Sequence, residues 1–178
     1  ATDQNLHYYS FFAYQGSNSS ASICRTYACS ISKELYDQIP ETDVRKNMFL
    51  GPKEGETYTT STGRASKGAL YDRAMKDYAD KIYSTSYIFA YMQFKILCAD
   101  QPGIGQLNNF RSAEMYLIEA EANCHIGGKD AETQKLLVAL NKDSGRNPAY
   151  TCTKTGDNLL QEVKLYRRIE LWGEGFDW

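Results

Sequence analysis

The chain has 178 residues, 20 Lys and Arg against 22 Asp and Glu, 42% apolar residues and 13% aromatic ones. That length fits one domain able to bury roughly 70% of its extended-chain surface. The near-zero net charge and high apolar fraction exclude a disordered chain, a collagen and a general nucleic-acid binder. No stretch reaches the ~18 to 20 unbroken apolar residues that span a bilayer.

Residues 1–66 read as an irregular, loop-rich region. It opens with Tyr8, Tyr9, Phe11, Phe12 and Tyr14 and continues into a Ser/Asn-rich stretch, Gly16 to Ser22. A short helix is predicted around Ile31 to Gln38, stopping before Pro40 because proline disfavours helical geometry in the residue ahead of it. Gly51 to Gly63 is a loop by composition, with a solitary aromatic, Tyr58.

Residues 67–178 read as a helical scaffold, forming one domain together with 1–66. Leu70, Ala74, Tyr78 and Ile82 recur every four residues among charged neighbours, the spacing of an amphipathic helix. Ile88 to Ile96 is rich in aromatic and branched residues and fits either a strand or a short helix. A loop through Pro102, Gly103 and Gly105 ends in Asn108-Asn109, good N-caps for a helix from Phe110 to Ile126. Its stripe is Phe110, Ala113, Leu117, Ala120 and Cys124, and Gly127-Gly128 stops it. Asp130 caps the next helix, which carries Ala131, Leu136, Leu137 and Leu140. The tight glycine turn makes the two antiparallel, a tetratricopeptide-like hairpin with small residues Ala113, Ala120, Ala122, Ala131 and Ala139 at the contact. A last helix runs from Asp157 to Trp172, ending at Gly173. The fold class is therefore mainly α: a tetratricopeptide-like helical hairpin scaffold with long irregular loop regions.

Catalytic constellations are scarce. There is no Gly-x-Ser-x-Gly elbow, and Gly51-Pro52-Lys53-Glu54-Gly55 lacks the spacing of a phosphate-binding loop. With His7 and His125 as its only histidines, the chain offers no zinc-ligand spacing. Cys24, Cys29, Cys98, Cys124 and Cys152 form no CxxC pair and read as buried small hydrophobes, with a Cys24–Cys29 bridge open if a turn brings them face to face. A glycosidase needs two carboxyls, one with a raised pKa. Glu114 and Glu121 lie near one helix face, but Arg111, three residues before Glu114, is placed to keep it ionised. Those carboxylates read as bridges between helices through Arg111, Arg167 and Arg168. What remains is stacking: Tyr14, Tyr58 and Tyr150 are the aromatics that helical period does not explain, and a tyrosine face suits the C–H groups of a sugar.

The run Phe110 to Ala122 (FRSAEMYLIEAEA), Leu140-Asn141, Arg146-Asn147-Pro148 and Tyr166 to Gly175 (YRRIELWGEG) resemble the C-terminal region of the SusD/RagB-like family. Leu35-Tyr36 and Thr42-Asp43-Val44-Arg45 resemble that family's upstream Asp-x-Arg element. The resemblance implies the C-terminal part of a longer, mainly helical surface lipoprotein. Such a protein binds glycan or another nutrient at the extracellular face of the outer membrane and hands it to a TonB-dependent, SusC-like transporter. It implies no enzyme, no cofactor, no nucleic-acid partner, and membrane attachment only through a lipid anchor outside this chain. Arg111, Glu114, Glu121, Arg168, Glu170 and Glu174 match signature positions and read as scaffold. The alternatives are a helical protein-interaction module without a glycan site and, third, a glycosidase using Glu114 or Glu121.

Overall fold

The computed structural model describes residues 11–100, 103–106 and 110–175. The chain divides into two compact units, one of residues 1–38 with 46–107 and one of residues 39–45 with 108–178. The amphipathic helix beyond residue 67 packs with the loop-rich residues before it.

The first unit carries helices α1 (Phe11–Gln15), α2 (Ser22–Thr26), α3 (Lys33–Gln38) and α4 (Ala69–Asp77). A two-stranded antiparallel ribbon pairs β1 (Arg64–Ala65) with β2 (Ile88–Phe89). α4 is shorter than its pattern, because Tyr78 leaves helical geometry and a 3-10 turn, Ala79–Lys81, carries the chain to Ile82. Residues 88–96 form no helix: β2 covers Ile88–Phe89, a turn follows at Ala90-Tyr91, and Met92 and Gln93 make single bridges to Ser30 and Phe49. Tyr91 N donates to Leu50 O at 2.8 Å, Leu50 N to Met92 O at 2.9 Å, Gln93 N to Cys29 O at 2.9 Å and Phe94 N to Met48 O at 2.7 Å. The segment is thus stitched on both sides by irregular chain. Leu50, Leu70, Ala74, Ile88, Met92 and Phe94 form its core, with Tyr78 stacked on Phe94 at 4.0 Å.

Gln93, polar in the middle of this greasy run, is 1% exposed. Its Nε2 donates to Gln15 O and Ile96 O, and its Oε1 accepts from Ile96 N at 2.7 Å. A buried amide stabilises when its partners are supplied, and here all are backbone groups that loops would otherwise leave unpaired. All five cysteines are free. Burial, then the neighbouring Cys29 and Cys98, push the Cys24 thiol up to about 12.

The second unit is built on α5 (Ser112–Ile126), α6 (Asp130–Val138) and α7 (Gly156–Glu170), with α5 packed on both others. Gly127, at φ 79°, ends α5 in a conformation that only glycine adopts cheaply. Ala113, Leu117 and Ala120 of α5 are buried, as are Leu137 of α6 and Leu159 and Val163 of α7. The expected stripe is corrected at both ends of the hairpin. Phe110 precedes the helix and is 88% exposed. Ala122 and Ala131 face solvent, while Thr133, fully buried, donates to Ala120 O at 3.5 Å. Asn108-Asn109 lie outside the described residues, as do His7, Tyr8 and Tyr9; Arg111 occupies the N-cap position of α5.

After α6 the chain takes one π-helical turn, Ala139–Asp143, closed by Ser144 N donating to Ala139 O at 3.2 Å. Such turns carry an extra residue, and they recur where a side chain must be redirected. Here Leu140 and Asn141 are both buried, and Asn141 is the polar one.

Candidate functional site

In the second unit the signature residues converge on one carboxylate. Glu170, at the C-terminal end of α7, accepts from Arg45 Nη1 at 2.8 Å, Arg146 Nε at 2.9 Å, Arg146 Nη2 at 3.0 Å and Arg111 Nη2 at 2.6 Å. Four bonds occupy about all the acceptor sites a carboxylate has. Arg45 Nη2 also donates to Asp43 Oδ2 at 2.6 Å and to Asn141 Oδ1 at 2.5 Å, the reach that the π turn provides. Arg111 pairs with Glu174 as well. Three guanidiniums thus face three carboxylates, Asp43, Glu170 and Glu174, in a group whose charges cancel. Burial pushes the Glu170 carboxyl up, but the bonds and charges of Arg146 and Arg45 outweigh it and hold it below the usual carboxylate range. A carboxyl kept ionised in this way is a poor general acid.

The expected Arg111–Glu114 pair is not made. Arg111 stands at the N-cap with extended backbone, φ −127° and ψ 137°, so the helical i,i+3 geometry does not apply and its side chain reaches Glu170 and Glu174 instead. Glu114 is half-buried on α5. Glu121 bridges from α5 to α7 through Arg167 Nη1 at 2.5 Å, and Arg168 lies exposed on α7. Among the described residues no group of His, Cys, Asp and Glu is arranged to hold a metal.

The aromatic candidates separate by burial. Tyr150 is 5% exposed, edge-on to Tyr166 at 5.0 Å, with its hydroxyl donating to Glu162 Oε1 at 3.2 Å. Its faces are spent on packing, and burial pushes its hydroxyl far up. Tyr14, on α1, is 40% exposed. Tyr58 is half-buried in the first unit and belongs to a group that the sequence did not reveal. Tyr91 stands 6.4 Å from Tyr58 and 5.4 Å from Tyr36, both contacts edge-to-face. Lys46 Nζ lies 4.8 Å from the Tyr36 ring centroid.

Two features show that this group is held in place. Tyr91 has φ 63°, alone among the described non-glycine residues in being left-handed. A bulky side chain there costs about 1–2 kcal/mol, a strain that collects at binding sites. The Tyr36 ring also lies directly on Gly51, where a Cβ would come within 1.9 Å of its Cζ. Tyr36 sits inside a quoted signature pair, Leu35-Tyr36, but nothing in its spacing brings it to Tyr91.

No curated protein matches the chain. A SusD-like carbohydrate binding protein from Bacteroides vulgatus ATCC 8482 has a similar structure, with a TM-score of 0.59 at 23% sequence identity. The match covers 97% of this chain and 29% of that one, so this chain spans under a third of the neighbour's length. The model of the SusD family matches residues 7–178, and the chain belongs to that family.

Proposed function

We propose that this chain is part of a glycan-binding protein of the outer cell surface, which captures a saccharide and delivers it to a TonB-dependent transporter without breaking a bond. The observation that carries the reading is the group of Tyr36, Tyr58 and Tyr91. Three tyrosines meet edge to face, Tyr36 on α3 and Tyr58 and Tyr91 on irregular chain, one of them at a strained φ, in a family fold whose solved relative is described as carbohydrate binding. Tyrosine pairs a flat apolar face for sugar C–H groups with a hydroxyl for sugar hydroxyls. Tyr14 is proposed as a further contact. Attachment to the membrane is proposed to be through a lipid anchor outside this chain; no helix among the described residues is long and apolar enough to cross one.

The test is affinity gel electrophoresis and calorimetry of the full-length protein against a glycan panel. Binding to at least one member, weakened by Tyr36→Ala and Tyr58→Ala, is the expected result; a folded protein that binds none would overturn the reading. A protein-interaction module is the second reading, favoured by the exposure of Met115 (50%), Ile118 (46%) and Ile126 (68%) on α5. Co-purification with a transporter by a protein that binds no glycan would select it.

A further inference from the structure

Five of the chain's eight arginines, Arg45, Arg73, Arg111, Arg146 and Arg167, are paired with carboxylates. Arg25 and Arg64, both in the first unit, make no ion pair among the described residues and lie on tyrosine rings instead. The Arg64 guanidinium carbon is 3.5 Å from the Tyr87 centroid, and that of Arg25 is 5.6 Å from the Tyr83 centroid.

One short segment carries both stacks. Ser86 N donates to Tyr83 O at 2.8 Å, closing a turn that brings its ends together. Tyr87 N donates to Arg25 O at 2.7 Å, and Arg25 Nη1 to Thr85 Oγ1 at 2.8 Å. The pairing of Arg64 with Phe89 in the β1–β2 ribbon sets the second arginine against the same segment. Two buried side-chain polar atoms lack a hydrogen-bond partner among the described residues, and both are here: Arg25 Nε and Ser86 Oγ. Buried polar groups are nearly always satisfied, so two orphans where α2 meets this turn, Arg25 on the helix and Ser86 in the turn, mark a junction whose hydrogen bonding the described residues leave incomplete.

We propose that Arg25 and Arg64, stacked on the two tyrosines of the Tyr83–Tyr87 turn, recognise an oxyanion on a bound sugar chain: the carboxylate of a uronic acid or a sulfate ester. A guanidinium with its face covered by an aromatic ring keeps its N–H edge for a planar anion, which it meets with two parallel bonds. Tyr87, 39% exposed, offers ring surface beside that charge for the sugar itself. The proposal rests on the glycan-binding reading above and adds the chemical class of the ligand.

The test is calorimetry of the full-length protein with matched pairs: tetragalacturonate against its methyl ester, and a sulfated tetrasaccharide against its desulfated form. At least one acidic member is expected to bind tenfold or more tighter than its neutral partner, and which pair responds identifies the anion. Arg25→Gln and Arg64→Gln should each reduce that preference fivefold or more and leave neutral binding unchanged. Should either variant misfold, wild-type affinity between 20 and 300 mM salt decides: it falls steeply for the acid and stays flat for the neutral sugar if the site is real. Equal binding of acid and neutral forms, or no binding in either arm by a protein that binds another member of the glycan panel, overturns this proposal and leaves glycan binding standing, whereas no binding to any member of that panel removes both. Polyglutamate bound as tightly as the uronate would reassign the site to acidic protein.

Discussion

Arg45 and Glu170 stand 125 positions apart and meet at 2.8 Å, with side chains 3% and 2% exposed. Neither charge would be tolerated so deep without the other. Removing one member of a buried pair costs about 3–5 kcal/mol, because the survivor is left uncompensated. Glu170→Gln should therefore lower unfolding stability by that amount in urea. A loss under about 1 kcal/mol, the range of exposed pairs, would mean the group is solvated.

The same carboxyl dictates a response to acid. Its folded pKa lies below the ordinary 4.5, so as pH falls the unfolded chain takes up the proton first. Its contribution is complete above the ordinary value and is lost as pH drops through the lower, folded one. Urea midpoints should hold from pH 7 to about 5.5 and then decline, and Glu170→Gln should shallow that decline. An unchanged slope in the variant would rule Glu170 out as a source of acid lability.

The tyrosines should part into two classes. Tyr36→Ala or Tyr58→Ala should weaken glycan binding about three- to tenfold, the worth of one stacking contact, with little change in stability. Tyr150→Phe should leave affinity alone and cost about 1 kcal/mol through its lost bond to Glu162. Gly51→Ala should reproduce the binding loss of Tyr36→Ala, because the new methyl occupies the place of the Tyr36 ring. Full affinity in Gly51→Ala would detach Tyr36 from recognition.

Leu117, 1% exposed at the contact of α5 with α6 and α7, tests the scaffold itself. Leu117→Ala should cost about 2–5 kcal/mol by transfer and cavity terms together. Circular dichroism at the melting transition would register it, and an unmoved melt would deny that this helix holds the unit together.

The helices of the second unit were legible because α5 and α7 announce themselves twice, by four-residue spacing and by the glycines that end them. Asp43, Arg45 and Glu170 were legible as signature positions, but not as neighbours. No local pattern encodes a contact over 125 residues, nor that Arg111 would leave the helix and forsake Glu114. The π turn at 139–143 stayed hidden because its cost is met by Asn141 reaching Arg45, a reward that exists only after folding. Tyr91 was missed for the same reason. Tyrosine gives no sign of a left-handed backbone, and the greasy run around it could be read as strand or helix. Burial also reclassified Tyr150, which looked like a loop aromatic and is a core one.

The span between Arg45 and Glu170 also sets a clock on synthesis. At about 5–20 residues per second, the ribosome releases the carboxylate some 6–25 s after its arginine. For that interval Asp43 and Arg45 are exposed together on a nascent chain, and the second unit cannot close until α7 is made. A stop codon anywhere before position 170 would thus strand the arginine cluster without its counterion, and quality-control proteases should remove such truncated chains.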